Sequence, residues 1–127
     1  MRRLPDYFAD SYALVAYLEG NPRYVRIFQR KSLCTSALNV LELYGTLLRR
    51  LSKGEARASS IPFLPLVRVG TPEVALEAAE FRQRMRVKKR DCSYIDAWGY
   101  AMAREIGVPF LTGDPSFKAV QDVEFVR

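Results

Sequence analysis

Short apolar runs alternate with longer helical patterns along this chain, and that alternation constrains its fold more than any other feature. The runs predict strands over residues 7–10, 32–35, 66–69, 110–112 and 123–126. The patterns between them predict helices over residues 11–18, 22–30, 36–51, 55–60, 71–85 and 93–106. Strands separated by helices form a parallel sheet that is covered on both faces. We therefore expect one α/β domain over residues 1–127, with ligands at the carboxyl ends of the strands.

Three helix ends carry local signals. Thr71-Pro72-Glu73 predicts a helix start, because threonine can cap, proline suits the first turn and glutamate complements the helix dipole. Gly107 and Pro109 predict the end of the last helix. Lys53-Gly54 predicts the end of the helix over residues 36–51.

The composition excludes several classes of protein. The chain has 127 residues, a formal net charge of +6 and no histidine. No stretch approaches the roughly 18 apolar residues of a membrane span, and no signal-peptide core follows residues 1–6, so the expected location is the cytoplasm. Cys34 and Cys92 match no zinc or redox spacing, and we expect them to be buried, reduced thiols.

Two aspartates directly follow predicted strands. Asp10 comes after Tyr7-Phe8-Ala9, and Asp114 comes after Phe110-Leu111-Thr112-Gly113. Open α/β sheets place reactive groups at such positions. Each aspartate also has an ordinary explanation, as a cap of the next helix or as part of a Gly-Asp-Pro turn. Thr112 offers a hydroxyl group that can orient a neighbouring carboxylate.

A third acid, Glu42, lies on a predicted helix. At about 100° per residue it faces away from the apolar stripe of that helix. The residues on its side are Asn39, Gly45, Thr46 and Arg49. That side either lines a cleft or meets water. A glycine in mid-helix costs about 1 kcal/mol and often marks a close approach of another element.

The fourth acid, Asp96, lies in a helix that is apolar on nearly every side. A buried carboxylate is costly unless a cation or several hydrogen bonds compensate its charge. Ser93, three residues earlier, offers the alternative of a capping box. The two explanations are compatible.

Together these four acids predict a metal site. Carboxylates gathered at one edge of a basic protein would form a negative pocket that is costly unless it binds a cation. Oxygen ligands favour Mg²⁺ or Mn²⁺, and the lack of histidine argues against zinc.

In order and context, four blocks of the sequence resemble the PIN-domain nucleases, and within them the toxins of VapBC toxin–antitoxin pairs. The blocks are Phe8-Ala9-Asp10-Ser11, Asn39-Val40-Leu41-Glu42, Ser93-Tyr94-Ile95-Asp96-Ala97 and Leu111-Thr112-Gly113-Asp114. The resemblance spans essentially the whole chain, and the last two blocks are specific in combination. Pro115 departs from the charged or polar residue that is usual after the fourth acid.

The resemblance implies a three-layer α/β/α fold with a central parallel sheet of about five strands. It implies an endoribonuclease that uses Mg²⁺ or Mn²⁺, forms a homodimer and binds an antitoxin protein over its acidic site. The catalytic and metal-binding residues that it implies are Asp10, Glu42, Asp96 and Asp114. Thr112 and Ser11 would then support Asp10.

A run of basic residues precedes the helix that carries Asp96. Its members are Arg82, Arg84, Arg86, Lys88, Lys89 and Arg90. The ordinary explanation is a helix end whose cations complement the dipole and face water. Their position beside the acids instead suggests contacts to RNA phosphates. The candidate RNA-binding residues are Arg49, Arg86, Lys88, Lys89 and Arg90.

Two other functions remain open. A catalytically silent RNA-binding or regulatory module of the same fold would use its acids as helix caps and would bind RNA without metal. A phosphoryl-transfer domain also has an aspartate after its first strand. A phosphatase of that type needs a second aspartate two residues later, where this chain has Tyr12. A receiver domain needs one at the end of a central strand, and Cys34-Thr35 and Val69-Gly70 supply none.

Overall fold

A computed structural model describes residues 3–127 of the chain. Its strands are β1 (Tyr7–Ala9), β2 (Leu33–Ser36), β3 (Val67–Arg68), β4 (Phe110–Thr112) and β5 (Val123–Phe125). Its α-helices are α1 (Ser11–Leu18), α2 (Pro22–Arg30), α3 (Ala37–Leu48), α4 (Lys53–Ser60), α5 (Glu73–Val87) and α6 (Tyr94–Ile106). Short 3₁₀ helices cover Ile61–Leu66 and Pro115–Phe117.

The strands form one parallel sheet in the order β3-β2-β1-β4-β5. Alternate residues along each strand face opposite sides of a sheet. Phe8 and Phe110 therefore pack with α5 and α6, whereas Ala9 and Leu111 pack in a second core with the other helices. These two cores confirm the expected three-layer α/β/α fold with a central sheet of five parallel strands.

The order of the strands reverses between β1 and β4. The chain moves outward from β1 through β2 to β3, and then returns to the other side of β1 to form β4. A crevice opens at such a reversal, outside the carboxyl ends of the strands. Asp10 and Asp114 follow the two strands that border this crevice.

Helix α6 approaches the sheet closely at a glycine. A Cβ atom added at Gly99 would lie 3.0 Å from a ring carbon of Phe110 and 3.2 Å from one of Phe8. Without a side chain there, α6 lies directly against β1 and β4. This packing brings the first turn of α6, with Asp96, to the crevice.

The predicted helix start at Thr71-Pro72-Glu73 is confirmed, since α5 begins at Glu73. The cap predicted there is wrong, because the hydroxyl and backbone N–H groups of Thr71 both donate to the carboxylate of Glu105 on α6. The predicted end of α3 is also wrong. Helix α3 ends at Leu48, and Lys53-Gly54 opens α4. Ser52 and Glu55 form a capping box at that point, which stabilises a new helix where glycine alone predicts a stop.

The predicted state of the cysteines is confirmed. Cys34 is fully buried, Cys92 is 2% exposed, and both are free thiols. Within residues 3–127, no helix has the length and apolar character needed to cross a bilayer.

Candidate metal centre

Asp10 is 3% exposed at the carboxyl end of β1. Its Oδ1 atom accepts a hydrogen bond of 2.8 Å from the backbone N–H of Ala13, so Asp10 caps α1. Burial raises the pKa of this carboxyl group to about 8. Hydrogen bonds from the Thr112 hydroxyl and the Ala13 N–H oppose that shift, whereas the charges of Asp96 and Asp114 add to it.

Asp96 is half-buried in the first turn of α6 and forms the expected capping box. Its Oδ2 accepts from the backbone N–H of Ser93 at 3.1 Å, and the Ser93 hydroxyl accepts from the Asp96 N–H at 3.0 Å. Burial raises the pKa of Asp96, the bonds to Ser93 oppose the rise, and the charges of Asp114 and Glu42 add to it. Asp96 therefore caps its helix and also lies within electrostatic range of two other acids.

Asp114 follows β4 and opens the 3₁₀ helix Pro115–Phe117. Its Oδ1 accepts from the backbone N–H of Ser116 at 3.0 Å, and its own N–H donates to the Thr112 hydroxyl at 3.1 Å. Thr112 is fully buried, accepts a hydrogen bond from the Asp114 N–H and is one of the groups that lower the pKa of Asp10. A Cβ at Gly113 would overlap the ring of Tyr12 and the carbonyl oxygen of Val126, so the turn into Asp114 requires glycine.

Glu42 is half-buried and lines a cleft rather than open solvent. The cleft has a volume of about 630 Å³ and lies between α1 and α3. Arg49 and Gly45 line it with Glu42, and Val15 and Leu41 supply apolar walls. The close approach expected at Gly45 is wrong, because an added Cβ there would have no described atom within 4 Å.

Asn39 is 1% exposed, so the helix side that it shares with Glu42 is covered at Asn39 rather than open to water. Its amide group donates to the Ser11 hydroxyl at 3.2 Å and accepts from the Ser36 hydroxyl at 2.6 Å. Ser11 is therefore bonded to Asn39, and its expected support of Asp10 is indirect, through the start of α1. Thr35 completes this layer by donating to the carbonyl oxygen of Ala9 at 2.8 Å.

The sequence motifs do not predict the buried polar layer formed by Ser11, Thr35, Ser36 and Asn39. A weak signal exists, since Ser36 stands three residues before Asn39 and Asn39 stands three residues before Glu42. That spacing allows a helix cap and a shared face. It does not reveal that α1 covers the amide.

The four acids form one group, which we call the acidic rim: Asp10, Glu42, Asp96 and Asp114. The charges of Asp96 and Asp114 act on Asp10, and those of Asp114 and Glu42 act on Asp96. Within residues 3–127, no three or more such side chains are already arranged to hold a metal ion. Each aspartate of the rim accepts a hydrogen bond from a nearby backbone N–H. The donor set, oxygen alone with excess negative charge, fits a hard divalent cation.

The candidate RNA-binding residues separate into different environments. Arg90 donates from Nη1 to the carbonyl oxygens of Ser116 at 2.9 Å and Lys118 at 2.7 Å, so it holds the segment after Asp114. Lys88 is exposed and lines a cleft with other cations. Arg86 and Lys89 are exposed near the end of α5. Arg49 is exposed beside Glu42 and bonds to the carbonyl oxygen of Gly45 on its own helix.

Comparison with known proteins adds a family and a set of related folds. The sequence model of the PIN domain matches residues 7–123. The toxin VapC20 of Mycobacterium tuberculosis, which cleaves the sarcin–ricin loop, is 26% identical. Its structure superposes with a TM-score of 0.74 over 95% of this chain and 98% of the toxin. No curated protein sequence matches significantly.

Two further structures share the fold at lower identity. FitAcB from Neisseria gonorrhoeae is 21% identical, with a TM-score of 0.70 over 95% of this chain and 96% of that one. A chain of VapBC2 from Rickettsia felis, bound to a DNA fragment from its promoter, is 14% identical. Its TM-score is 0.72 over 94% of this chain and 96% of that one.

Proposed function

Because the chain belongs to the PIN-domain family, a family of nucleases, we propose that it is a toxin-type endoribonuclease that hydrolyses RNA phosphodiester bonds with Mg²⁺ or Mn²⁺. One observation carries the proposal. Asp10 is buried, and two further carboxylates of the acidic rim disfavour its charge. A bound cation would relieve this repulsion, whereas water can scarcely reach the group.

The side chains of the rim would have distinct roles. We propose Asp10 and Asp96 as the principal metal ligands, Glu42 as a ligand or as the group that orients water, and Asp114 as a ligand of a weaker or water-bridged ion. A divalent cation supplies Lewis-acid activation of water and phosphate at near-neutral pH. Thr112 would help to position Asp10 and Asp114, since its hydroxyl favours the charged form of Asp10 and accepts from the backbone N–H of Asp114.

The partners of the chain are also proposals. The similar structures include a toxin–antitoxin complex from Klebsiella pneumoniae, which supports an antitoxin partner for this chain. The cleft beside Glu42 is lined by apolar side chains and ends at this acid of the rim. A partner segment with apolar side chains could fill the cleft and cover the rim. We further propose a homodimer located in the cytoplasm. RNA phosphates would contact Arg49 and the basic end of α5.

The decisive test combines metal binding with RNA cleavage. We expect wild-type protein to bind Mn²⁺ in isothermal titration and to cleave RNA, and we expect Asp10→Asn and Asp96→Asn to lose both. Asparagine keeps the helix cap at Asp10, so the circular dichroism spectrum of that variant should be unchanged. Glu124→Gln, an exposed acid on β5, is the matched control and should bind and cleave as wild type does.

A second candidate function is favoured by a specific observation. Asp10, Asp96 and Asp114 all accept backbone hydrogen bonds as caps, which is what a catalytically silent RNA-binding module requires. RNA binding with neither Mn²⁺ binding nor strand cleavage would select this function over the nuclease. A variant that unfolds would show that the acid is structural.

A further inference from the structure

A second cleft, of about 460 Å³, lies on the other face of the sheet from the Glu42 cleft. It runs between α5, α6 and the segment 119–121. Four cations line it: Arg84, Lys88, Arg90 and Arg104. None of the described residues that line it is acidic. We call it the basic cleft.

Three of the four cations of the basic cleft, Arg84, Arg90 and Arg104, contact other groups of the protein before any ligand arrives. The guanidinium of Arg104 donates to the carboxylate of Asp122 at 2.7 Å and lies 5.8 Å from the ring centre of Tyr100. The guanidinium of Arg84 lies 5.8 Å from the ring centre of Phe81. Planar guanidinium groups fixed in this way lose little freedom on binding phosphate.

The basic cleft is connected to the acidic rim through one short segment. Ser116 donates its N–H to Asp114 of the rim, and its carbonyl oxygen accepts from Arg90 of the cleft. At the far end, Glu77 and Glu80 line an adjoining cleft together with Arg84 and Arg104. Positive charge therefore extends from the rim along α5 and ends where these two glutamates begin.

We propose that the basic cleft binds the phosphate backbone of the RNA strand on the side of the cut beyond Asp114. The inference rests on the proposed nuclease function and adds a binding site outside the metal centre. Arg84 and Lys88 form no ion pair with the described residues and are its main contacts for phosphate. Arg104 is partly neutralised by Asp122, and Arg90 chiefly holds the segment 116–118. A strand that crosses the rim would meet these cations next and would be repelled at Glu77 and Glu80.

The test measures binding of a short, fluorescein-labelled single-stranded RNA of mixed sequence in EDTA, where cleavage cannot occur. Substituting Arg84→Gln with Lys88→Gln should weaken binding at least about fivefold at low salt. It should also reduce the slope of log K against log[salt] by about 1.4, at about 0.7 per phosphate contact. Among residues 3–127, neither of these two side chains makes an ion pair, so the fold should survive.

A control pair separates the cleft from general positive charge. Arg23→Gln with Arg57→Gln, on α2 and α4, removes the same charge from exposed positions outside the cleft and should change affinity less than about twofold. Equal losses from the Arg84 and Arg23 pairs would overturn the proposal, and so would wild-type protein that binds no RNA.

The outcome is distinguishable from that of the nuclease proposal. Cleft-dependent RNA binding by a protein that never cleaves RNA in Mn²⁺ would overturn the nuclease and leave the cleft standing. If wild type cleaves RNA but the variant with Arg84→Gln and Lys88→Gln keeps its RNA affinity, the nuclease proposal stands and the proposed role of the basic cleft is overturned.

Discussion

Among single residues, Asp10 has two opposing effects on stability. Its side chain caps α1, which stabilises the fold, but its surroundings disfavour its negative charge. The fold raises the pKa of Asp10 from 3.8 to about 8, so it favours the protonated carboxyl group. The resulting gain in the free energy of unfolding is complete below the unfolded-state pKa and is lost as pH rises towards 8. Asparagine caps about as well and carries no charge. We therefore expect metal-free Asp10→Asn to unfold at a higher temperature than wild type near pH 8.

Thermal unfolding in EDTA at several pH values measures this effect. The advantage of Asp10→Asn should exceed about 1 kcal/mol near pH 8 and should shrink as pH falls towards 5. Glu124→Gln makes the same chemical change at an exposed position and should show no such trend. An advantage that is independent of pH would mean that Asp10 is not costly to ionise in the fold.

The positions of single acids were predictable where a local pattern determines them. Asp10 and Asp114 follow apolar strands, and Ser93 with Asp96 has the spacing of a capping box, which the structure confirms. The burial of Asn39 was not predictable, because its partner Ser11 lies 28 positions away along the chain. Helical periodicity predicts which residues share one face of a helix. It does not predict which of those residues a second helix will bury.

At the scale of elements, two mid-helix glycines should respond in opposite ways to alanine. A Cβ at Gly99 would press on Phe8 and Phe110, and overpacking of this kind costs about 1–3 kcal/mol. A Cβ at Gly45 would have no atom of residues 3–127 within 4 Å, so alanine should stabilise α3 by up to about 1 kcal/mol. Chemical denaturation of Gly99→Ala and Gly45→Ala measures both effects. Destabilisation of both proteins to the same extent would show that α6 does not depend on the close contact.

The boundaries of elements were predictable when their determinants are local. Helix α2 and strand β4 lie at the predicted positions, because a Pro22 start and a buried apolar run are signals within the segment itself. Thr71 was assigned wrongly as a cap, since the carboxylate of Glu105 on another helix takes its hydrogen bonds. A local sequence pattern around Thr71 does not show that a residue of another helix competes for its hydrogen bonds.

For the whole molecule, binding of metal should be visible as stability. A ligand that binds only the folded state adds about 2.7 kcal/mol at 100 times its dissociation constant. We expect Mn²⁺ to raise the melting temperature of wild type by several degrees and to leave that of Asp10→Asn unchanged. Differential scanning calorimetry of both proteins with and without EDTA checks this. An equal rise in both would place the cation away from Asp10.

The architecture as a whole was predictable from alternation, because strands separated by helices leave few arrangements other than a covered parallel sheet. The order β3-β2-β1-β4-β5 was not predictable from the same pattern. Nothing in Phe110-Leu111-Thr112 marks it as the neighbour of β1 rather than of β3. Which strands become neighbours depends on how the side chains of the strands and helices pack in the whole domain, and not on the sequence of one strand.

The pairing of β1 with β4 also sets when the acidic rim can exist. Phe8 pairs with Phe110, so β1 lacks one neighbour until β4 has been synthesised. Asp114 follows still later. Pairings between distant segments form slowly, and a chain leaving the ribosome folds in the order in which it emerges. The proposed ribonuclease would therefore acquire its acidic rim only after β4 and Asp114 have been synthesised, which would leave time for the proposed antitoxin to be ready.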